Sequence, residues 1–227
     1  MSLAEAISKA GPIPPETSSR SVKKRYAETL SKCLAEELAE GLRQKGFSGT
    51  KPLAGGPGEK AFQGGLGPKK VDVAYSDERH GLLLAVSVKS IMAAPYGKNL
   101  KNRFADLCTE AITLHMRFPY AVVCAFFAFP EDARKDKTRN RHLSTFDRAM
   151  RLLASVSGRQ EHTDPAEKFE TIAMLSVEPP SQTGRRGKAA IFDAATGKVL
   201  TDKAYYEKLR LIYNERNPHG LIGEPEA

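Results

Sequence analysis

The chain has no tryptophan and only three cysteines in 227 residues. Cys33, Cys108 and Cys124 are widely spaced, odd in number and set among apolar residues. They read as reduced core thiols; with no Cys-x-x-Cys pair, neither a disulfide-stapled miniature nor a zinc centre is expected. No apolar run approaches the roughly 18 residues of a membrane span, and the longest, Tyr120 to Pro130, has the length of a strand. A membrane partner is therefore not expected. Residues 1–20 lack the apolar centre of a secretory signal, which makes the cytoplasm the expected location. Several hydrolase signatures are also missing. No serine stands in a Gly-x-Ser-x-Gly context, and no His-x-x-x-His or His-Asn-His arrangement occurs. His115 lies mid-way along an apolar helical face and reads as a satisfied buried imidazole. Glycines 55, 56, 58, 64, 65 and 67 lack the Lys-Ser/Thr ending of a P-loop. They read as a flexible loop that approaches the backbone of a ligand such as DNA.

Positive charge is what the chain has in excess. Thirty-five Lys plus Arg stand against 27 Asp plus Glu, a formal charge of +8 that favours a polyanionic partner. Aromatic residues make up 7%, too few for the stacking platforms that hold single strands, although charge alone does not separate DNA from RNA. Basic clusters recur at Lys23-Lys24-Arg25, Lys69-Lys70, Lys98/Lys101/Arg103, Arg134 to Arg141, and Arg185-Arg186 with Lys188. Each alone is an ordinary solvated surface; together they suit tracking along a phosphate backbone. With 41% hydrophobic and 27% charged residues, the composition is that of a globular chain able to bury a core.

Periodicity gives the order of elements. Residues 19–47 repeat Tyr26, Leu30, Cys33, Leu34, Leu38 and Leu42 at helical spacing. A Gly- and Pro-rich stretch over 48–68 reads as a loop, with one strand if Ala61 to Leu66 is extended. Val71 to Tyr75 and Leu82 to Val88 read as a hairpin, Leu100 to His115 as a helix, and Tyr120 to Phe129 as a buried strand. Beyond a charged connector, residues 146–156 predict a helix, 169–177 and 189–192 strands, and 203–215 a helix. The expectation is an α/β fold with a central mixed sheet flanked by helices. Residues 1–18 would be a flexible lead-in, 19–130 the core and 131–227 an α/β extension on the same domain.

Three places carry chemistry. Strand alternation puts Ala85, Ser87 and Lys89 on one face and Leu84, Val86 and Val88 on the other. If the two strands are neighbours, Asp72 and Lys89 meet near one end of the sheet. They then form either a metal-binding carboxylate beside an ammonium that positions or deprotonates water, or a strand-end ion pair worth about 0–1 kcal/mol. On the following helix Glu110 flanks the core stripe of Phe104, Leu107, Cys108 and Ala111, with Asp106 one turn before it. On the first helix Glu37 falls inside the arc of Leu30, Cys33, Leu34 and Leu38, where an unpaired carboxylate would cost several kcal/mol.

An initial helix, a hairpin carrying Asp72 and then Ser87-Val88-Lys89, a helix and a further strand resemble the PD-(D/E)XK nuclease superfamily, the fold of many restriction endonucleases. The resemblance covers residues 19–130. Two departures stand out: Lys70-Val71-Asp72 replaces Pro-Asp, and Ser87 occupies the place of the acidic residue two before the lysine. Some restriction enzymes of this family likewise show Ser-x-Lys, with the missing carboxylate supplied by the following helix. That implies an αβββαβ core and a Mg²⁺-dependent endonuclease, with Mn²⁺ as a substitute, acting on double-stranded DNA. Asp72, Glu110 and the Val88 carbonyl would hold the metal. Lys89 would orient and activate water, with Ser87 at the vacated position and Glu37 supporting Lys89 or a second ion. A homodimer or higher symmetric oligomer would cut both strands, leaving a 5′-phosphate and a 3′-hydroxyl. The alternative is a catalytically silent nucleic-acid-binding or assembly module that keeps the fold.

Overall fold

The structure is a computed structural model in which residues 2–53, 55–56, 58–137, 142–180 and 187–223 are described. Arg139 and Arg141 of the basic connector, and Arg185 and Arg186 of the basic loop, lie outside the described residues.

Ser19 Oγ accepts the Val22 amide at 3.4 Å and opens a 25-residue helix, α2 (Arg20–Gln44), whose buried stripe is the one the periodicity marks. Before it comes α1 (Leu3–Ala10), in the segment expected to be flexible. Ser2 and Glu5 form a capping box there, and Leu3 and Ile7 are fully buried against α2. Eight residues are too few for a helix stable on its own, so α1 exists because tertiary packing holds it.

The glycine-rich stretch also departs from expectation. It contains a hairpin, β1 (Lys60–Gly64) and β2 (Gly67–Val71), that forms its own two-stranded sheet. Two of its glycines, Gly64 and Gly65, serve close approach to a helix. The Gly65 amide donates to the Thr113 carbonyl at 2.8 Å, and a Cβ on Gly64 would stand 2.5 Å from Thr113 Cγ2.

The central sheet is mixed and six-stranded, in the order β3 (Val73–Asp77), β4 (Gly81–Ser90), β5 (Val122–Pro130), β6 (Thr171–Glu178), β7 (Lys188–Asp193) and β8 (Val199–Leu200). The strands β4, β5 and β6 run parallel, and the remaining neighbours are antiparallel. Residues 131–227 thus contribute half of the strands of the same sheet. Every residue of β5 is buried, as a parallel strand covered on both faces requires.

On one face Leu84, Val86 and Val88 pack with α2 and with α5 (Asp202–Arg216) through Leu34, Leu38, Tyr205 and Leu209. Gly41 lies where α5 meets α2, and a Cβ there would sit 2.1 Å from the Tyr206 ring. On the other face Ala85, Val123 and Phe127 pack with α3 (Tyr96–His115) and α4 (Thr145–Ala154) through Leu107, Leu114, Phe146 and Leu153. Each such side chain, fully buried, contributes about 1.5–3 kcal/mol relative to exposure. Among the described residues no helix is long and apolar enough to cross a membrane.

Candidate active site

The site begins where β4 outruns its neighbour. The β3–β4 ladder stops at Val73 opposite Val86, while β4 continues to Ser90 with β5 on its other side. Past that point the Val88 amide has no strand partner on the β3 side, and Asp72 Oδ2 accepts it at 2.7 Å. Asp72 is therefore a joint between β2 and β3 rather than a strand interior as the sequence suggests, and it substitutes for the missing ladder. The N–H and C=O of one strand residue leave on the same side, so the Val88 carbonyl also faces the Asp72 edge.

Alternation puts Ser87 and Lys89 on one face, as expected, and that face is the one α3 covers. The carboxylate of Glu110, 1% exposed, comes down from α3 between them. Ser87 Oγ donates to Glu110 Oε1 at 2.6 Å, and Lys89 Nζ lies 2.9 Å from Oε2. A second ammonium, Lys69 Nζ from β2, lies 3.0 Å from the same oxygen. Asp106, by contrast, is more than half exposed and pairs with Arg103 at 3.5 Å, so it does not join this group.

The electrostatics divide the two carboxylates. Burial, together with the charges of Glu110 and Glu59, pushes the Asp72 carboxyl up to about 6 against the pull of Lys89 and the Val88 amide. Burial also raises Glu110, but Lys89, the Ser87 hydroxyl and Lys69 outweigh it and leave the group below its ordinary value. Lys89 is depressed by burial but raised more strongly by Glu110 and Asp72. An ammonium with a raised pKa keeps its proton at neutral pH. A charged Lys89 is suited to orienting water and to stabilising negative charge.

These directions give a stability prediction. The Asp72 carboxyl titrates near 3.8 when exposed and at about 6 in the fold. The folded chain therefore binds the extra proton between those values, and stability falls as pH rises through that window. The cost above pH 6 is up to about 3 kcal/mol at 1.36 kcal/mol per unit. Asp72→Asn, which keeps an acceptor for the Val88 amide, should raise the denaturation midpoint at pH 8 in chelator and have little effect at pH 4. Equal or lower stability at pH 8 would contradict the strained carboxylate.

Asp72, Val88 and Lys89 lie at the floor of a cleft of about 1210 Å³ between the N-terminal halves of α2 and α3. Four of its carboxylates are answered by cations: Glu28 by Lys24 at 3.5 Å, Glu36 by Lys9 at 2.8 Å, Glu59 by Lys70 at 3.8 Å and Asp106 by Arg103 at 3.5 Å. Among the described residues Arg20, Lys23 and Lys32 line the cleft with no carboxylate partner, so its excess charge is positive.

Glu37 does not join this group. It is buried, as the helical wheel requires, but on a part of α2 that faces α1 and α5: burial and the charges of Glu5 and Asp202 raise its carboxyl, and Tyr206 donates to its carbonyl at 3.3 Å. A wheel fixes which residues are inward, not which of two packed neighbours they meet. The acids of α2 that line the cleft are Glu28 and Glu36, and Ser31 Oγ stands 3.5 Å from Ser90 Oγ. Sequence reasoning missed Lys69. Its parity with buried Val71 was the available signal, hidden because 48–68 reads as a loop. Comparison with protein-family models, with curated proteins and with solved structures finds no match to this chain.

Proposed function

We propose that the chain is a Mg²⁺-dependent endonuclease of double-stranded DNA, of restriction-endonuclease-like PD-(D/E)XK type with Ser-x-Lys and a relocated carboxylate. The observation that carries this reading is the meeting of Asp72, Ser87, Lys89 and Glu110, drawn from three elements, at one open strand edge under a cationic cleft.

The donor chemistry fits a hard cation. Among the described residues no three His, Cys, Asp or Glu side chains gather around a point. Mg²⁺ does not need that, since it is commonly held by one or two carboxylates with waters and substrate phosphate completing the shell. Asp72, Glu110 and the Val88 carbonyl would hold it, and Mn²⁺ would take the same oxygens. The ion, when bound, polarises the phosphodiester and lowers the pKa of a water. The protein does the rest. Lys89 orients the attacking water and stabilises charge on the phosphorane-like transition state, while Ser87 holds Glu110 at the vacated acidic position. Arg20, Lys23 and Lys32 contact backbone phosphates, which makes affinity fall steeply with salt. Cutting both strands calls for a symmetric pair of chains, and the products would carry a 5′-phosphate and a 3′-hydroxyl.

A second reading has its own observation. Glu110 already has two ammoniums on it, the arrangement expected of a silent nucleic-acid-binding module whose metal site is closed by ion pairs. Incubating the purified chain with unmethylated phage DNA, in Mg²⁺ and in chelator, separates the two. The nuclease gives fragments only with the metal; a module retards the DNA in both conditions and leaves it intact.

A further inference from the structure

Resting on that reading, we propose that Lys69 is an internal counter-ion that occupies the Glu110 carboxylate in the metal-free chain and must leave for a divalent cation to bind. Lys69 is thereby a positioning residue that sets the metal affinity.

Geometry separates the two lysines on Glu110. Lys89 stands on β4 with its side chain 17% exposed and has Asp72 as a second opposite charge. Lys69 stands on the separate β1–β2 hairpin, is 31% exposed, and among the described residues pairs with Glu110 alone. Its long stem can carry the ammonium into water without moving the strand. Lys89 is the more buried of the two and is held by two carboxylates, so leaving Glu110 costs it more.

Charge balance points the same way. Two carboxylates, Asp72 and Glu110, face two ammoniums, so the metal-free cluster is neutral. Adding a divalent cation to a neutral, poorly solvated cluster leaves two uncompensated charges, a costly state. If Lys69 withdraws, the excess falls to one, which a single DNA phosphate cancels. The closed balance therefore contains Lys89, the metal and one phosphate, and excludes Lys69. Oxygen geometry adds a further reason: Oε1 accepts from Ser87, whereas Oε2 is buried with no hydrogen bond of its own and two ammoniums close to it, so it is the oxygen left for a cation once Lys69 moves aside.

Strength of binding then depends on Lys69 by linkage, because the cation must break the pair. The test titrates Mn²⁺ into the full chain without DNA, by calorimetry and by the electron paramagnetic resonance of free Mn²⁺. Lys69→Gln should tighten Mn²⁺ about tenfold, or about 1.4 kcal/mol. Lys69→Arg, which keeps the charge, should stay near wild type. So should Lys60→Gln, which removes one charge from the same hairpin away from Glu110. Thermal unfolding adds a readout that a purely structural lysine would not move: the melting temperature of Lys69→Gln should rise more on addition of saturating Mn²⁺ than that of wild type. Equal Mn²⁺ affinity in wild type and Lys69→Gln overturns the counter-ion inference and leaves the metal site standing. Binding by Lys69→Gln alone supports the inference in its strongest form. Absence of binding by every variant overturns the inference together with the nuclease reading.

Discussion

Lys89→Ala is expected to slow metal-dependent cleavage of duplex DNA by about 10³-fold while DNA affinity stays within about threefold of wild type. The ammonium sits at the floor of the cleft, 2.9 Å from Glu110, with a raised pKa that keeps it charged when the phosphodiester accumulates negative charge. On the proposed reading, affinity for DNA comes instead from Arg20, Lys23 and Lys32, which line the same cleft. The variant should fold, because Glu110 keeps Ser87 and Lys69 as partners. Single-turnover rates compared with equilibrium binding at one salt concentration make the measurement. A rate within tenfold of wild type would remove Lys89 from the chemistry, and parallel loss of rate and affinity would make it a phosphate contact only.

The second large effect is on stability and lies away from the cleft. Glu170, 5% exposed, takes Arg159 at 2.9 Å and Arg216 at 3.2 Å on one oxygen; on the other it accepts the Val123 amide at 2.8 Å, with His115 Nε2 at 3.5 Å. Removing the carboxylate leaves two guanidinium groups buried without an opposite charge, which costs about 3–5 kcal/mol. For a chain of this length that is a fall in melting temperature of roughly 10 °C. Glu170→Ala and Glu170→Gln should both show it at pH 7.

The pH dependence has the opposite sign to that of Asp72. Burial raises Glu170, but His115, the Val123 amide and Arg159 outweigh it and hold the carboxyl below its ordinary value. Its contribution is therefore complete above the unfolded value of about 4.3 and is lost as pH falls through the lower folded value. The gap between wild type and Glu170→Gln should close in that acid range. A gap that persists unchanged to pH 3 would assign the loss to packing rather than to charge.

The parts of the fold that reveal themselves in the sequence are those whose signal is local and repeated. The stripe of α2, the apolar face of α3 and the alternation of β4 each follow from spacing, so the shared face of Ser87 and Lys89 is legible from residues alone; spacing leaves Glu110 and Asp106 as alternatives, and the resemblance to Ser-x-Lys enzymes favours Glu110. What stays hidden depends on contacts distant in sequence. The helix α1 is too short to persist without α2 beneath it. The β1–β2 hairpin looks like a loop because its glycines are there to let Thr113 and Met116 come close. Glu37 is inward, yet rotation of α2 gives it to α1 and α5. His115 reads as a satisfied core imidazole, but its setting brings together positions 115, 159, 170 and 216, a combination no window of sequence displays.

Anomalous scattering from a crystal of the chain soaked in Mn²⁺ examines the proposed centre most directly. The expected map has one peak at the open edge of β4, within about 2.0–2.3 Å of carboxylate oxygens of both Asp72 and Glu110, with the Lys69 ammonium turned out to solvent. No peak there at saturating Mn²⁺, with Lys69 and Lys89 still on Glu110, would contradict the metal site and with it the nuclease.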